Sequence, residues 1–410
     1  MINDDAVQSN QLRLLLEEIC CDICRFRHAN QNASAIPKLQ IIREFYLGSP
    51  GLFADILVVT ESTPPYYVEV KYGYPTATLL AHLRRKYNNP KAKLGDVRGL
   101  IVVAEAESEA ARLALEQELA QSLLPGFKIE VWDEKRVLSL LLEQFGVEVA
   151  SLKFANMREI REMIERAKGF HAFGGVSLSD YRNDPLTSEL LWHFDFWRLL
   201  DFRKSQGKTP TSILPPGLYR NVAVIVGDLC SFSSYVRDTR DDDLIRHCLT
   251  SFYSKARYEI INQGGMLYQF VGDSVVGIFG IPDQKPAFTE AALQAGRNLI
   301  SIAGSVSNHW QRHLDRAQPA SGLRAGIALG DLQIVSLRPF GRTHMGVIGD
   351  AINLAARLQA AAQPNEIVMS NTFYNRLDES AQNGLIEMEP MEARNVGNIK
   401  AWRTGVQLNG

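Results

Sequence analysis

Hydrophobic and polar positions follow two different periods along the first 150 residues, and this pattern predicts a mixed α/β unit. Three segments repeat apolar residues at helical spacing: "NQLRLLLEEICCDICRF", "SEAARLALEQELAQSLL" and "EKRVLSLLLEQFG". Four short apolar runs bounded by turn residues are typical of strands: "FADILVVT", "YYVEVKYG", "GLIVVAEA" and "FKIEVWD". Strands that alternate with helices favour one α/β domain over residues 1–150.

The pattern changes over residues 151–215. The segments "MREIREMIERAKGF" and "LTSELLWHFDFWRLLDFRK" have the apolar spacing of amphipathic helices. They are followed by "KSQGKTPTSILPPGL", which is rich in residues that break regular structure. We therefore expect a helical linker here.

A second α/β unit is predicted over residues 216–410. "RNVAVIVGDLCSF" indicates a strand that ends at an acid, and "YQFVGDSVVGIFG" indicates a hairpin with Gly272 in its turn. Three helices are expected from "DDDLIRHCLTSFYSKARYEIINQGG", "AFTEAALQAGRNLISIAGSVSNHW" and "GDAINLAARLQAAA". Asp350 is the expected N-cap of the last helix.

Composition places the chain among globular proteins that do not enter membranes. Of its 410 residues, 46% are hydrophobic and 22% charged, with a net charge of -2. This balance gives no overall attraction to nucleic acid or to an anionic membrane. No apolar run reaches transmembrane length, and the acidic, polar start does not resemble a signal peptide. A cytoplasmic protein is expected.

The five cysteines indicate reduced thiols rather than a disulfide framework. Cys20, Cys24 and His28 recur every four residues, so on a helix they share one face. They could bind a metal ion or be small core residues. The core interpretation is preferred, because no second cluster of ligands follows.

Two acids in the second unit suggest metal chemistry. Asp228 ends the strand "VAVIVGD", and Asp273 lies at the tip of the predicted hairpin. In a βαββ arrangement the strand lies beside the hairpin, so both acids could face one site. Two carboxylates together with phosphate oxygens are a usual way to hold Mg²⁺ or Mn²⁺. The alternative is that both are ordinary turn residues.

The segment "NLAAR" places Asn353 and Arg357 four residues apart on one helix face. An amide and a guanidinium that point the same way could orient a ribose and stabilise charge on a phosphate. A solvated helix face is the alternative for an isolated pair of this kind.

Four motifs in sequence order favour the functional interpretation of these residues over the structural alternatives: "VIVGDLCSF", "YQFVGDSVVGIFG", "LRAGIALGD" and "VIGDAINLAARLQ". Together they resemble the class III nucleotidyl cyclase domain over about residues 220–405. The resemblance implies a ferredoxin-like βαββαβ core that works as a head-to-tail homodimer with shared active sites. It also implies that the 3′-hydroxyl of a nucleoside triphosphate attacks its own α-phosphate and releases pyrophosphate.

The same resemblance implies residue roles. Asp228 and Asp273, with Leu229 beside them, would hold two Mn²⁺ or Mg²⁺ ions in one protomer. Asn353 and Arg357 of the other protomer would be catalytic. Such cyclases often have a Lys-Gly pair near the C-terminus, and here Lys400 or Arg394 could replace that lysine at the triphosphate.

The two base-reading positions of the family depart from its purine patterns. The position four residues before the second metal Asp, commonly Lys or Glu, is Gln269, and the position seven before Asn353 is Gly346. Glutamine both donates and accepts hydrogen bonds, so it can match the Watson–Crick edge of uracil or, after an amide flip, cytosine. Mismatched buried polar groups would reject other bases. Gln269 could equally be an ordinary polar residue of a strand.

A cyclase with altered base-reading positions looks like the pyrimidine cyclases of bacterial Pycsar anti-phage systems. That similarity implies UTP or CTP as substrate, with uridylate cyclase favoured, and a downstream effector gated by the cyclic nucleotide. Alternatives are a conventional adenylate cyclase, or a nuclease or DNA-binding protein with a degenerate cyclase domain. Diguanylate cyclases share much of the core, but their glycine-glycine-acid loop is absent.

The first unit resembles PD-(D/E)xK nucleases. Asp55 lies in "ADILVV", and Glu69 and Lys71 lie in "VEVKYG", where a strand would put the latter two on one face. Glu44 on a preceding helix could complete a metal site, and "HLRRKY" matches the helix that follows. We expect a restriction-endonuclease-like domain used as a sensor, and we expect no nucleic-acid partner, because acids outnumber bases in this region.

Overall fold

The structure is a computed structural model that describes ten ranges of the chain. These are residues 4–29, 39–49, 51–61, 63–123, 127–174, 185–239, 241–314, 320–337, 344–393 and 397–405. The chain forms two compact units, Met1–Asn183 and Asp184–Leu408. The segment 151–215, expected to be a separate linker, is divided between them. Within the described ranges, no helix has the length and apolar character needed to cross a membrane.

The first unit is an α/β domain built on a five-stranded sheet. Its helices are α1 (Asp4–Ala29), α2 (Thr76–Tyr87), α3 (Glu109–Ser122), α4 (Glu134–Phe145) and α5 (Met157–Phe173). Its strands are β1 (Leu39–Tyr46), β2 (Phe53–Thr60), β3 (Tyr66–Val70), β4 (Gly99–Val103) and β5 (Lys128–Trp132). The strands follow one another in sequence order across the sheet. β1, β2 and β3 are antiparallel neighbours, whereas β3, β4 and β5 are parallel.

One expectation about the first unit is wrong. Glu44 was expected on a helix, but it lies on β1, where it has a positive φ of 52°. The pairing of β1 with β2 skips it, because Arg43 pairs with Ile56 and Phe45 with Ala54. The segment "LQIIREFY" is rich in apolar and β-branched residues on both faces, which suits a covered strand better than an exposed helix.

The cysteine cluster of α1 belongs to the interior of the first unit. Cys20 and Cys24 have no exposed surface, and His28 is 5% exposed. The Nε2 atom of His28 lies 3.0 Å from the hydroxyl of Tyr66. Among the described residues no group of three or more potential His, Cys, Asp or Glu ligands is arranged to hold a metal ion. These positions are those that the core interpretation expects.

The second unit begins with three helices and continues as a large sheet. The helices are α6 (Pro185–His193), α7 (Phe196–Gln206), α8 (Pro210–Ile213), α9 (Phe232–Asp238), α10 (Asp242–Asn262), α11 (Phe288–Leu314), α12 (Asp350–Ala361), α13 (Asn371–Tyr374) and α14 (Glu379–Gln382). The strands are β6 (Gly217–Leu229), β7 (Met266–Val271), β8 (Ser274–Phe279), β9 (Leu323–Leu337), β10 (His344–Ile348), β11 (Glu366–Ser370), β12 (Leu385–Glu387), β13 (Met391–Ala393), β14 (Gly397–Ile399) and β15 (Ala401–Gly405).

The sheet order is β12-β15-β11-β9-β6-β8-β7, with β10 paired to β9. Its middle part has the βαββαβ connectivity predicted from the motifs, formed by β6, α10, β7, β8, α11 and β9. Residues of α10 and α11 pack on one face of the sheet, against Ile225, Leu267 and Ile327. The opposite face of β9 receives α12. Gly326 permits that contact, because a Cβ there would lie 2.1 Å from the carbonyl oxygen of Ala355.

The cap of α12 differs from the expectation. Gly349 is the N-cap residue and Asp350 is the first residue of the helix, so its side chain makes no cap hydrogen bond. An acid at this position still interacts favourably with the helix dipole.

Candidate active site

The two predicted metal ligands of the second unit lie on neighbouring strands. β6 pairs antiparallel with β8, which brings Asp228 opposite Ser274, the residue that follows Asp273. The amide of Leu229 donates to the carbonyl of Asp273 at 3.4 Å. The turn between β7 and β8 depends on Gly272, which has a φ of +59°. The fold therefore brings together residues 45 positions apart, as the motifs predicted.

The two acids repel each other and form no ion pair among the described residues, although Arg324 of β9 lies opposite Asp228 in the strand register. Burial first, and then the negative charge of Asp228, raise the pKa of Asp273 above its ordinary value. The Asp228 side chain accepts a hydrogen bond at Oδ1 from the Ser274 hydroxyl. Within the described ranges, neither acid forms an ion pair with a lysine or arginine. Two partly buried carboxylates that repel each other and form no ion pair favour the approach of a cation.

This donor set fits a hard divalent cation. Two carboxylates and the backbone carbonyl of Leu229, the only metal donor that leucine offers, are oxygen ligands of the kind that Mg²⁺ and Mn²⁺ bind. Fewer than three carboxylates are present, so phosphate oxygens and water would complete the coordination. Ser274 was missed at the sequence level, although its position directly after Asp273 offered a signal.

The two predicted base-reading positions lie on strands that are in contact. Gln269 is exposed on β7, the edge strand of the sheet, and Gly346 is on β10. Tyr268, next to Gln269, accepts a hydrogen bond at 3.3 Å from the amide of Val347, next to Gly346. The pairing of β7 with β8 shifts between Leu267 and Gln269, so a bulge at Tyr268 changes where these side chains point.

The two predicted catalytic residues lie on α12. Asn353 is exposed, and Arg357 is half-buried. The Nη1 atom of Arg357 is buried and has no hydrogen-bond partner among the described residues. A buried guanidinium nitrogen without an acceptor is costly to leave unpaired, so an anionic oxygen that reached this atom would be stabilised.

Lys400 is engaged in a different contact from the one predicted for it. Its Nζ lies 2.9 Å from Oε1 of Glu387 and 5.6 Å from the centre of the Trp402 ring. It lies between β14 and β15, and about half of its side chain is exposed. A role at the triphosphate would require it to leave Glu387. Arg394, the other candidate, lies outside the described residues.

The nuclease-like residues of the first unit also come together. Nζ of Lys71 lies 2.6 Å from Oδ2 of Asp55 and 2.7 Å from Oε2 of Glu69. Lys86 of α2 contacts both oxygens of Glu69 at 2.7 Å. The hydroxyl of Tyr87 donates to Oε1 of Glu69 at 2.5 Å. Lys86 and Tyr87 belong to the "HLRRKY" segment, but their contacts with Glu69 were not predicted.

This cluster is neutral without a metal ion. Two acids face two lysines, and Glu69 has no exposed surface. Burial acts to raise the pKa of Asp55, but the charges of Lys71 and then Lys86 outweigh it and hold the pKa below its ordinary range. Burial acts to lower the pKa of Lys71, but Asp55 and Glu69 raise it well above its usual value. Asp55 and Lys71 therefore remain charged and paired at neutral pH.

Residues 214–404 match the family described as "Adenylate and Guanylate cyclase catalytic domain". The matched range lies within the second unit and includes Asp228, Asp273, Asn353 and Arg357. Its likeness to particular proteins is more distant. It is 25% identical over 196 residues to proteins named "Adenylate cyclase" from Mycobacterium bovis and Mycobacterium tuberculosis. That match covers 48% of this chain and 42% of each relative, so the chain spans less than half of their length.

Two solved structures are similar to the same part of the chain. The adenylyl cyclase CyaB from P. aeruginosa is 20% identical, with a TM-score of 0.40 over 45% of this chain and 94% of that one. The guanylyl cyclase Cya2 is 20% identical, with a TM-score of 0.39 over 48% of this chain and 98% of that one.

Proposed function

We propose that the second unit is a pyrimidine nucleotide cyclase that converts UTP, or CTP, to the 3′,5′-cyclic monophosphate and pyrophosphate. The observation that carries this proposal is a carboxylate pair that forms no ion pair among the described residues: Asp228 of β6, and Asp273 in the turn of the β7–β8 hairpin that also presents Gln269. With the carbonyl of Leu229, the two acids would hold Mg²⁺ or Mn²⁺. Bound ions of this kind lower the pKa of the attacking hydroxyl and neutralise charge on the leaving pyrophosphate.

The chain supplies orientation and charge rather than a covalent intermediate. The 3′-oxygen forms a bond to the α-phosphorus and loses its proton, while the bond from that phosphorus to the pyrophosphate oxygen breaks. A second copy of the chain would contribute Asn353 to the ribose and Arg357 to the α-phosphate. The Nη1 atom of Arg357 supports that role, because it has no acceptor among the described residues.

Specificity for a pyrimidine rests on the side chain of Gln269 and on the absence of a side chain at Gly346. Gln269 is neutral and exposed, and Gly346 has no side chain, so one amide would read the Watson–Crick edge. The contact between Tyr268 and Val347 supports a common site for the two positions, since it joins their neighbours. Uracil, which offers a carbonyl and a ring N–H, is the favoured base.

The product would be a second messenger. By its resemblance to Pycsar cyclases, we propose that cyclic UMP or cyclic CMP made on infection opens an effector in anti-phage defence. The first unit would be the sensor. Its strand order and its Asp55, Glu69 and Lys71 cluster support a restriction-endonuclease-like fold, but Lys86 saturates the carboxylate that a catalytic metal ion would need.

A conventional adenylate cyclase is the second candidate, because the Mycobacterium relatives carry that name. Incubation of the purified chain with each of the four nucleoside triphosphates and Mn²⁺, with products identified by mass, separates the two candidates. We expect UTP, and secondarily CTP, to be cyclised. Conversion of ATP alone would refute the pyrimidine proposal, and no conversion of any triphosphate would refute the cyclase proposal.

The base-reading positions provide a sharper version of that assay. In the double variant Q269K/G346D, which introduces residue types found in adenylyl cyclases, we expect the ratio of ATP to UTP turnover to rise at least about tenfold. The matched control is Q333K, at a polar position of β9. An unchanged ratio in the double variant would contradict a base-reading role for Gln269.

A further inference from the structure

The β7–β8 hairpin, which carries both Gln269 and Asp273, is held along its length by the helices around it. At its base, Arg198 of α7 donates to the carbonyl of Gly264, just before β7. The same guanidinium lies 2.8 Å from Oδ1 of Asp283, just after β8. Because 5% of the Arg198 side chain is exposed, this contact fixes the two ends of the hairpin from a buried position.

In the middle of the hairpin the contacts come from α6. The Nδ1 atom of His193 donates to the carbonyl of Leu267 at 2.5 Å. Trp192 meets the ring of Phe270 edge-to-face, with centroids 6.4 Å apart. Helix α6 therefore contacts β7 at Leu267 and at Phe270, the residue that directly follows Gln269.

At the tip the contacts come from α10. The ring of Tyr253 stacks on Phe270 with centroids 4.0 Å apart and planes 12° apart. Its hydroxyl donates to the carbonyl of Gly272, the residue before Asp273. Arg257, one helical turn further along α10, donates to the carbonyl of Trp192 at 2.9 Å. Its guanidinium carbon lies over the Trp192 ring, 5.0 Å from the ring centre.

These contacts matter because the hydrogen bond between the turn and β6 is long, with the Leu229 amide 3.4 Å from the Asp273 carbonyl. Gly272 is exposed and in the left-handed region, with a φ of +59°. A glycine there gives the turn access to many backbone conformations. A metal site, however, needs its ligands within about 0.5 Å of their working positions. The Tyr253 hydrogen bond reaches the peptide that directly precedes the Asp273 ligand.

We propose that Tyr253 and Trp192 are positioning residues that act through Phe270 and the Gly272 carbonyl to hold Asp273 at metal-binding distance from Asp228. This inference rests on the proposed metal-dependent cyclase function. It makes α6, the first described element of the second unit, a control point for metal affinity. Movement of α6 would weaken metal binding without altering any residue that touches substrate.

The experiment compares Tyr253→Phe and Trp192→Ala with the natural chain. Mn²⁺ binding is titrated without nucleotide by electron paramagnetic resonance, and the signal lost in Asp228→Asn defines the site. We expect the Mn²⁺ dissociation constant to rise about fivefold in Y253F, the loss of one hydrogen bond, and by more in W192A. With the accepted triphosphate, kcat should recover at saturating Mn²⁺ while KM stays near its natural value.

Two control variants lie at the opposite side of the sheet. Tyr374 also stacks on an aromatic ring, Trp402, with centroids 3.6 Å apart, so Tyr374→Phe matches Y253F. Ile386 is exposed on β12, the edge strand farthest from β7, so Ile386→Ala matches W192A. Both should bind Mn²⁺ as the natural chain does.

Unchanged Mn²⁺ affinity in Y253F and W192A would overturn the positioning role. So would a loss of activity that excess Mn²⁺ does not restore and that accompanies a lower Tm, because that result indicates general destabilisation. Failure of the natural chain to convert any triphosphate would refute the proposed function instead. The metal titration would still decide the role of Tyr253, since it needs no turnover.

Discussion

Each of the two units has a pair of neighbouring carboxylates, and the two pairs differ in their surroundings. Asp55 and Glu69 accept hydrogen bonds from Lys71 and Lys86, so their charges are compensated inside the protein. Asp228 and Asp273 have no such lysines among the described residues, and their mutual repulsion contributes to the raised pKa of Asp273. A compensated pair stabilises structure, whereas an uncompensated pair is able to take a cation from outside.

The comparison also explains why similar residue types predict different chemistry. A divalent ion placed near Glu69 would bring two further positive charges to a neutral, buried cluster whose oxygens are already occupied. The same ion near Asp228 would relieve repulsion. A list of acids in the sequence does not distinguish these cases, because the distinction depends on which lysines the fold delivers.

The largest expected effect comes from removing the uncompensated pair. In Asp228→Ala and Asp273→Ala, we expect cyclic nucleotide formation to fall at least about 1000-fold, because several kcal/mol of charge stabilisation depend on the metal. Product is measured by mass with the accepted triphosphate and Mn²⁺. Asp242→Ala, at an exposed position of α10, is the control and should keep its activity. More than a tenth of natural activity in either variant would remove these acids from the site.

Removing a lysine from the compensated pair, Asp55 and Glu69, should lower the free energy of unfolding. In Lys86→Met, Glu69 remains buried with one cation fewer, and we expect the free energy of unfolding to fall by about 3–5 kcal/mol. Lys86→Met combined with Glu69→Gln should recover much of that loss, since it removes the unbalanced charge. Urea titrations measure both. Lys91→Met, at an exposed position, is the control.

A value for Lys86→Met close to that of the natural chain would mean that Lys86 is dispensable. It would reopen the first unit as a metal centre. Recovery in the double variant would instead establish that compensation, rather than packing of the lysine stem, is what the cluster needs.

Much of the fold could be predicted from the sequence, because local patterns determine it. "FADILVVT" has the bounds of β2, and Gly272 lies in the turn that its residue type predicted. "LTSELLWHFDFWRLLDFRK" was expected as one helix but forms α6 and α7, since the helix is interrupted between His193 and Phe196. That break allows His193 and Arg198 to reach different parts of one hairpin.

The candidate site was predictable only where its residues belong to motifs. Asp228, Asp273, Asn353 and Arg357 were found because their order and spacing are shared with a family. Tyr253 was not, because its contact with Gly272 arises from the packing of α10 on β7 and has no local signature. Lys86 was missed for the same reason, since α2 must pack on β3 before Lys86 and Glu69 meet.

A third carboxylate gives the smallest predicted effect and tests what burial alone does. Glu259 of α10 has no exposed surface, and its Oε1 accepts from Asn298 at 2.7 Å and Gln263 at 3.0 Å. Its Oε2 has no hydrogen-bond partner among the described residues. Burial raises its pKa from 4.5 to about 7, against the opposing effect of the two amides.

The sign of the resulting pH dependence follows from that raised pKa. Below pH 4.5 both the folded and the unfolded chain hold the proton, so Glu259 has no effect on their balance. As pH rises towards 7, the unfolded chain releases the proton first, and stability falls by on the order of 3 kcal/mol. Glu259→Gln should abolish that fall, so it should be the more stable form at pH 8 and little different at pH 4.5. Urea midpoints measured from pH 4.5 to 8 decide the matter, with exposed Glu389→Gln as control. Parallel profiles for E259Q and the natural chain would show that Glu259 is already compensated, and would place it with Glu69 rather than with Asp273.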